Sequence, residues 1–280
     1  MSETPTPPDV LLEDVLSRYD ATDDPRLKEI VTAAIRHLHA FATEVRLQRD
    51  EWMAGIEWLT AAGKICDGVR QEFILMSDTF GVSTLVELLT QQGSAEATPN
   101  TVLGPFYVPG SPHREFGESM LEVADDPGDR VVVRGTVRSA DGTPLTDATL
   151  DCWQNSSGGA YAVQAHSDQP ETNLRGVYAV DTEGRFEIRG VRPSPYTVPD
   201  DGPVGALMAA TGRSVWRPGH LHMFVRAPGH KDLITHIFDA TSTHLDDDAV
   251  FGVRDGLTVS FTPSAGGEYE TTFDLVLDPA

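Results

Sequence analysis

The chain has little cysteine, little positive charge and no long apolar run, and each shortage removes a class of protein. Only Cys66 and Cys152 occur in 280 residues, too few for a disulfide framework, and buried apolar packing is their expected role. Lysine and arginine number 21 against 43 aspartates and glutamates, a formal charge of -22. Such a chain repels phosphate backbones and anionic lipid surfaces, so neither nucleic acid nor membrane insertion is expected. An anionic substrate would need a locally positive site, which a metal ion and an arginine can supply. No apolar run nears the roughly 20 residues needed to span a bilayer, and no basic-then-apolar signal opens the chain. The expected location is cytoplasmic. Internal repeats and low-complexity tracts are absent as well.

What is present divides by pattern. Apolar residues make up 40% of the chain, enough for a sizeable core. Residues 1–8 (MSETPTPP) read as a disordered tail, 9–95 as a helical N-terminal domain, and 96–280 as an antiparallel β-sandwich. The fold class is therefore α+β. Asp24 followed by Pro25 predicts an N-cap and first turn for a long amphipathic helix, and Gly63 is the expected stop of the next one. Past Gly93-Ser94, glycine, proline and threonine replace helix formers. Short β runs follow, among them RVVVRGTVRS, ATLDCWQ, GRFEIRGV, HLHMFVRA and LITHIFDA, separated by turn dipeptides such as Asp141-Gly142 and Glu183-Gly184.

His-Leu-His occurs twice, and the contrast points to a site. His37 and His39 lie in a helical pattern, where residues two apart point to nearly opposite faces and cannot share an ion. His220 and His222 lie in a short strand pattern bounded by Pro-Gly on both sides, where residues two apart face the same way. The second copy is a metal-site candidate. Tyr161 follows a flexible Ser-Ser-Gly-Gly loop, Tyr196 sits between stiffening prolines, and Arg217 precedes His220 by three residues.

In this order these residues resemble the intradiol ring-cleaving dioxygenases, non-haem iron(III) enzymes of the catechol and hydroxyquinol 1,2-dioxygenase type. The resemblance covers most of the chain. It implies one Fe(III) per subunit held by Tyr161, Tyr196, His220 and His222, with a hydroxide or water as fifth ligand. Tyr196 and His222 would be axial, Tyr161 and His220 equatorial. Phenolate is a hard anionic donor that favours Fe(III), and imidazole adds no charge. Two phenolates and a hydroxide balance the ferric charge, and a catecholate dianion replacing one phenolate and the hydroxide keeps that balance. A buried site so exchanges ligands without an uncompensated charge. Arg217 matches the family arginine that stabilises negative charge developing on the substrate, and Tyr196 is a base for a substrate proton.

Leu245-Asp246-Asp247-Asp248-Ala249-Val250-Phe251-Gly252-Val253 and residues 71–86 resemble the hydroxyquinol branch more than the catechol one. Leu75, Asp78, Val102, Leu103 and Gly104 would line the ring pocket, with Asp78 accepting a hydrogen bond from a third ring hydroxyl. His236 stands where catechol enzymes carry a glutamine, and would contact substrate. The implied reaction is O2-dependent cleavage of benzene-1,2,4-triol between adjacent hydroxyl-bearing carbons, giving 3-hydroxy-cis,cis-muconate or its tautomer maleylacetate. Catechol cleavage to cis,cis-muconate is the alternative. The resemblance also implies a homodimer through the N-terminal helices.

Two further readings remain open. A non-catalytic transthyretin-like β-sandwich fits TPLTDATLDCWQ and DTEGRFEIRGVRP, but explains neither the tyrosines nor the helical part. A cupin-like site uses His-x-His but gives no place to Tyr161 or Tyr196. Asp246, Asp247 and Asp248 read most simply as an exposed acidic turn. Tyr19, Tyr107, Tyr178 and Tyr269 read as packing or rim residues, and His113, His166, His230 and His244 as solvated loop residues.

Overall fold

The computed structural model describes residues 7–68, 70–90, 93–164 and 167–280. It divides into two compact units, one ending at Ala61 and one running from Ala62 to Ala280. The expected tail falls mostly on residues 1–6, outside the described residues, and Pro8 already opens the first helix. Six helices are described: α1 (Pro8–Ser17), α2 (Pro25–Glu44), α3 (Arg49–Lys64), α4 (Glu72–Thr79), α5 (Val82–Thr90) and α6 (Pro203–Ala210). The strands are β1 (His113–Arg114), β2 (Arg130–Ser139), β3 (Thr149–Trp153), β4 (Arg175–Ala179), β5 (Arg185–Val191), β6 (Tyr196–Thr197), β7 (Trp216–Arg217), β8 (His220–Arg226), β9 (Leu233–Asp239), β10 (Thr258–Val259), β11 (Thr262–Pro263), β12 (Tyr269–Thr272) and β13 (Leu275–Leu277).

Local chemistry explains the helices of the first unit. The Asp24 carboxylate accepts from the Arg26 and Leu27 amides at 2.9 and 3.2 Å, and Pro25 takes the first helical position, where no N–H partner is required. Its apolar stripe finds little cover within the chain. Leu38 is 65% and Phe41 52% exposed, and Thr32 is the buried residue of α2. The helix α3 runs one residue past Gly63. The short helix α6 escapes a sequence reading, because eight small and apolar residues show no helical period inside a β-patterned half.

In the second unit two sheets enclose the core. One runs β1-β4-β3-β8-β9-β10, the other β11-β12-β2-β13 with β5 also on β2. The expected antiparallel sandwich needs one correction: the sheets are mixed. The long central pairs β3·β4, β3·β8, β8·β9 and β2·β5 are antiparallel, whereas β1, β10, β12 and β13 join in parallel. These parallel partners are only two to four residues long, so the central hairpin-like pairs carry most of the ladder.

Strand alternation places the site. Leu150 and Cys152 of β3, Leu221, Met223 and Val225 of β8, and Leu233 and Ile237 of β9 point into the core between the sheets. The residues between them therefore face the other way. Register then sets Trp153 beside His222, His222 beside His236, and His220 beside Phe238 on that outer face.

Candidate metal centre

His220 and His222 are each 1% exposed, and their Nε2 atoms lie 3.1 Å apart. The His220 Nδ1–H donates to the Pro218 carbonyl at 2.7 Å, which leaves a bare lone pair on Nε2. The Tyr161 hydroxyl lies 3.0 Å from His222 Nε2. With His220 Nε2 bare, at most two protons, one on the Tyr161 hydroxyl and one on His222, serve the three converging atoms. Lone pairs brought this close in a buried site call for a cation between them, so these residues suit a metal ion.

Electrostatics favours the ligating form of the histidines. Burial, with the Arg217 charge second, pushes His220 down to about 3. His222 and His236 are driven well below the ordinary imidazole value, first by burial and then by neighbouring histidines. All three are neutral at physiological pH, as ligation requires. Tyr161 moves the other way, its phenol raised well above the usual value by burial and then by Tyr196, with Arg217 opposing weakly. A phenolate there needs a local positive ion, and a bound metal supplies one.

Two loops deliver the tyrosines, and hydrogen bonds stitch them together. The Asn155 amide donates to the Ser194 carbonyl at 2.7 Å, and the Ser194 hydroxyl donates to the Ser157 carbonyl at 2.8 Å. Tyr196 then pairs across β6 and β7 with Arg217, whose Nη1 donates to the Tyr196 hydroxyl at 3.3 Å. The two tyrosine rings are 5.2 Å apart and nearly perpendicular, and the Tyr196 ring is 5.6 Å from that of His220.

Two segments of the chain match family models, one described as catechol dioxygenase N terminus over residues 24–98, the other as dioxygenase over 102–279. The chain belongs to the intradiol dioxygenase family. It is 43% identical over 269 residues to the 6-chlorohydroxyquinol 1,2-dioxygenase of Cupriavidus pinatubonensis, covering 96% of each chain. It is also 43% identical over 282 residues to the hydroxyquinol 1,2-dioxygenase of Nocardioides simplex, covering 96% of this chain and 95% of that one. The structure of hydroxyquinol 1,2-dioxygenase from Pseudomonas putida DLL-E4 superposes with a TM-score of 0.90 at 39% identity, covering 98% of this chain and 99% of that chain. As a member of this family the chain is an oxidoreductase of the intradiol dioxygenase type.

Around the donors, the remaining residues expected at the site of this dioxygenase are found as follows. His236 stacks against His220 at 4.7 Å and stands edge-on to His222 at 4.1 Å, and the ligating atoms of all three lie within 4.8 Å of one another. Neither ring nitrogen of His236 closes a hydrogen bond, and the Val102 backbone beside it only weakly opposes its downward shift. Val102 is buried, and Leu103 packs on the cluster of Trp153, Tyr161 and Tyr196. Gly104 has φ +77°, and a Cβ there would meet His222 Cε1 at 3.4 Å, so a side chain would be strained and would crowd the His222 ring. Leu75 and Asp78 are buried on α4. Burial raises the Asp78 pKa, with Ser83 and Arg217 opposing and Asp248 adding to the rise. A cleft of about 530 Å³ is lined by Leu75, Phe106, Tyr107, Val163, Thr197 and Val198 among others; of the expected pocket residues it takes in Leu75, whereas Asp78, Val102, Leu103, Gly104 and His236 are not in its lining.

Sequence reasoning missed three contributors. Trp153 lies flat on His222, with ring centroids 4.5 Å apart at 15°. Phe106 stacks on Tyr161 at 4.5 Å, in a loop that buried Arg175 holds through the Phe106 and Val108 carbonyls and the Ser111 hydroxyl. Asp248 is the clearest correction to the expected acidic turn. Asp246 and Asp247 are exposed, but Asp248 is buried against Arg217. Three identical letters gave no sign of which one turns inward, although the apolar Ala249 and Val250 that follow mark where the chain goes under.

His37 and His39 sit on α2. His113 is in β1 rather than a loop, His230 bonds the Pro228 carbonyl, and His244 pairs with Asp247. His166 lies outside the described residues. Tyr178 is core, its hydroxyl donating to the Glu118 carbonyl at 2.7 Å. Tyr107 packs on Trp153.

Proposed function

We propose that this protein is a hydroxyquinol 1,2-dioxygenase holding one iron(III) per subunit through Tyr161, Tyr196, His220 and His222. The observation that carries the reading is the convergence of two buried phenols and two neutral imidazoles, with Nε2, Nε2 and Tyr161 Oη linked at 3.1 and 3.0 Å. Bound there, ferric iron supplies a Lewis acid that holds a catecholate and makes its ring reactive toward O2. The substrate is benzene-1,2,4-triol. O2 adds both its atoms as the carbon–carbon bond between the adjacent hydroxyls breaks, giving 3-hydroxy-cis,cis-muconate, the tautomer of maleylacetate, with no external reductant.

The chain's own groups orient that reaction. Leu75, Val102, Leu103 and Gly104 form the walls for the ring. Asp78 accepts the hydrogen bond of the third hydroxyl, and an unpaired buried carboxyl penalises a ring lacking it. Tyr196 Oη takes a substrate proton, with Arg217 Nη1 on the same oxygen and directed at charge developing on the substrate. His236, neutral and stacked beside His220, is the further substrate contact.

Residues 9–95 form the helical part, which gives Leu75 and Asp78 to the pocket, and 96–280 the sandwich bearing the iron ligands. The open apolar stripe of α2 supports homodimer contact through the N-terminal helices. No single described helix is long and apolar enough to cross a membrane, and a cytoplasmic enzyme without a nucleic-acid partner fits the charge of -22. The test is kcat/KM on benzene-1,2,4-triol against catechol with iron-loaded protein. A preference of tenfold or more for the triol, with one O2 consumed per ring, is expected. A preference for catechol overturns the substrate, and no O2 uptake with either overturns the function.

A further inference from the structure

The Arg217 guanidinium is 3% exposed and has three described contacts. Its Nε donates to Asp248 Oδ1 at 3.0 Å and its Nη2 to Asp248 Oδ2 at 3.4 Å, while Nη1 donates to the Tyr196 hydroxyl. The carboxylate thus engages one edge of the planar guanidinium and leaves the other edge facing the tyrosine. Asp248 is itself held by the chain that follows it. The Gly252 amide donates to Oδ2 at 2.8 Å and the Val250 amide to Oδ1 at 3.4 Å.

This short turn is wedged against the arginine. A Cβ on Gly252 would fall 2.7 Å from Arg217 Nη2 and 3.1 Å from Asp248 Oδ2, so only glycine lets the backbone close over the pair. The turn also reaches the pocket helices, because the Thr84 hydroxyl of α5 donates to the Val250 carbonyl at 3.1 Å. On its other side the Ala249 amide bonds the Trp216 carbonyl next to Arg217 at 2.9 Å. The segment 248–252 therefore ties the strand bearing Arg217 to the helix pair bearing Asp78.

We propose that Asp248 is the positioning residue for Arg217, clamping Nε and Nη2 so that Nη1 is directed at Tyr196 Oη and the substrate edge. The proposal rests on the dioxygenase reading above. It changes the role of the arginine: the adjacent carboxylate offsets its charge at a distance, and what remains for the reaction is one aimed donor. An unclamped guanidinium would sample other rotamers and lose that aim. A residue acting this way affects the rate of the chemical step more than ground-state binding.

The test uses iron-loaded holoenzyme and benzene-1,2,4-triol. Asp248→Asn is expected to lower kcat tenfold or more while KM stays within threefold, and to shift the phenolate-to-iron absorption through the loosened Tyr196 contact. Gly252→Ala, which wedges a methyl group against the pair while leaving both side chains chemically unchanged, should reproduce both effects and decides the matter if the Asn variant does not fold. In an Arg217→Lys background, either change should alter kcat less than twofold, because the group it acts through is gone. An equal loss of kcat in both backgrounds, or an unshifted absorption with full kcat in the single variants, overturns the proposal. A wild-type protein that binds iron but leaves the triol untouched would instead refute the function, so the two failures are distinguishable.

Discussion

Trp153 covers one face of the His222 imidazole, parallel within 15° at 4.5 Å, because the two residues are register partners on adjacent antiparallel strands. The indole is fully buried, and its Nε1 has no hydrogen-bond partner. An unpaired buried N–H carries a desolvation cost, which the stacking of the flat ring on His222 helps to offset. Replacing Trp153 with Ala is expected to cost about 3–5 kcal/mol through the cavity left, read by denaturant unfolding. Trp153→Phe keeps a flat ring and should retain iron binding with a smaller loss. Equal iron affinity and stability in the Ala variant would contradict the role.

That relationship also marks how far the sequence could be read. The strand period puts His220 and His222 on one face, and the order of Tyr161, Tyr196 and Arg217 points to a shared site; in the structure these five side chains lie within contact of one another. The Asp24–Pro25 helix start was equally local and equally legible. Trp153, Phe106 and Asp248 were not, because their roles come from cross-strand register and loop closure rather than from spacing along the chain. The parallel joining of β1, β10, β12 and β13 escapes the sequence for the same reason: strand runs such as LTVSFTP and YETTFDLVL are legible, but the direction in which they pair is not.

The pocket carboxyl gives a specificity prediction. Asp78 is buried with a raised pKa, and in the proposed role it would meet a third ring hydroxyl without water to compete. Asp78→Asn should lower kcat/KM for benzene-1,2,4-triol by tenfold or more and change that for catechol by less than threefold. An unchanged ratio of the two would show that Asp78 does not read the third hydroxyl.

Metal-free protein should lose stability in mild acid. His220 has a folded pKa of about 3 against an ordinary 6.5. Between those values the unfolded chain takes up a proton that the folded one refuses. Its contribution is therefore complete above about pH 6.5 and declines as the pH falls, by about 1.4 kcal/mol per unit for this residue alone. His222 and His236 shift the same way and steepen the slope. The melting temperature of the iron-free protein should fall by about 3 °C or more per unit from pH 6.5 to 5, and His236→Gln should flatten that slope. A melting temperature independent of pH over this range would mean that the histidines are not held neutral.

The open stripe of α2 predicts assembly. Leu38 and Phe41, 65% and 52% exposed and one helical turn apart, should lie in the contact between subunits. Leu38→Lys combined with Phe41→Lys is expected to halve the mass seen by light scattering while leaving the helical circular dichroism intact. An unaltered mass would place the contact elsewhere.

The most direct measurement is resonance Raman spectroscopy of the iron-loaded protein, excited in its visible absorption. Ferric iron held by Tyr161 and Tyr196 predicts a red-brown protein with enhanced tyrosinate vibrations from two ligands, reduced to one set in Tyr161→Phe or Tyr196→Phe. A colourless protein at full iron occupancy, or tyrosinate modes that both substitutions leave unchanged, would contradict the account.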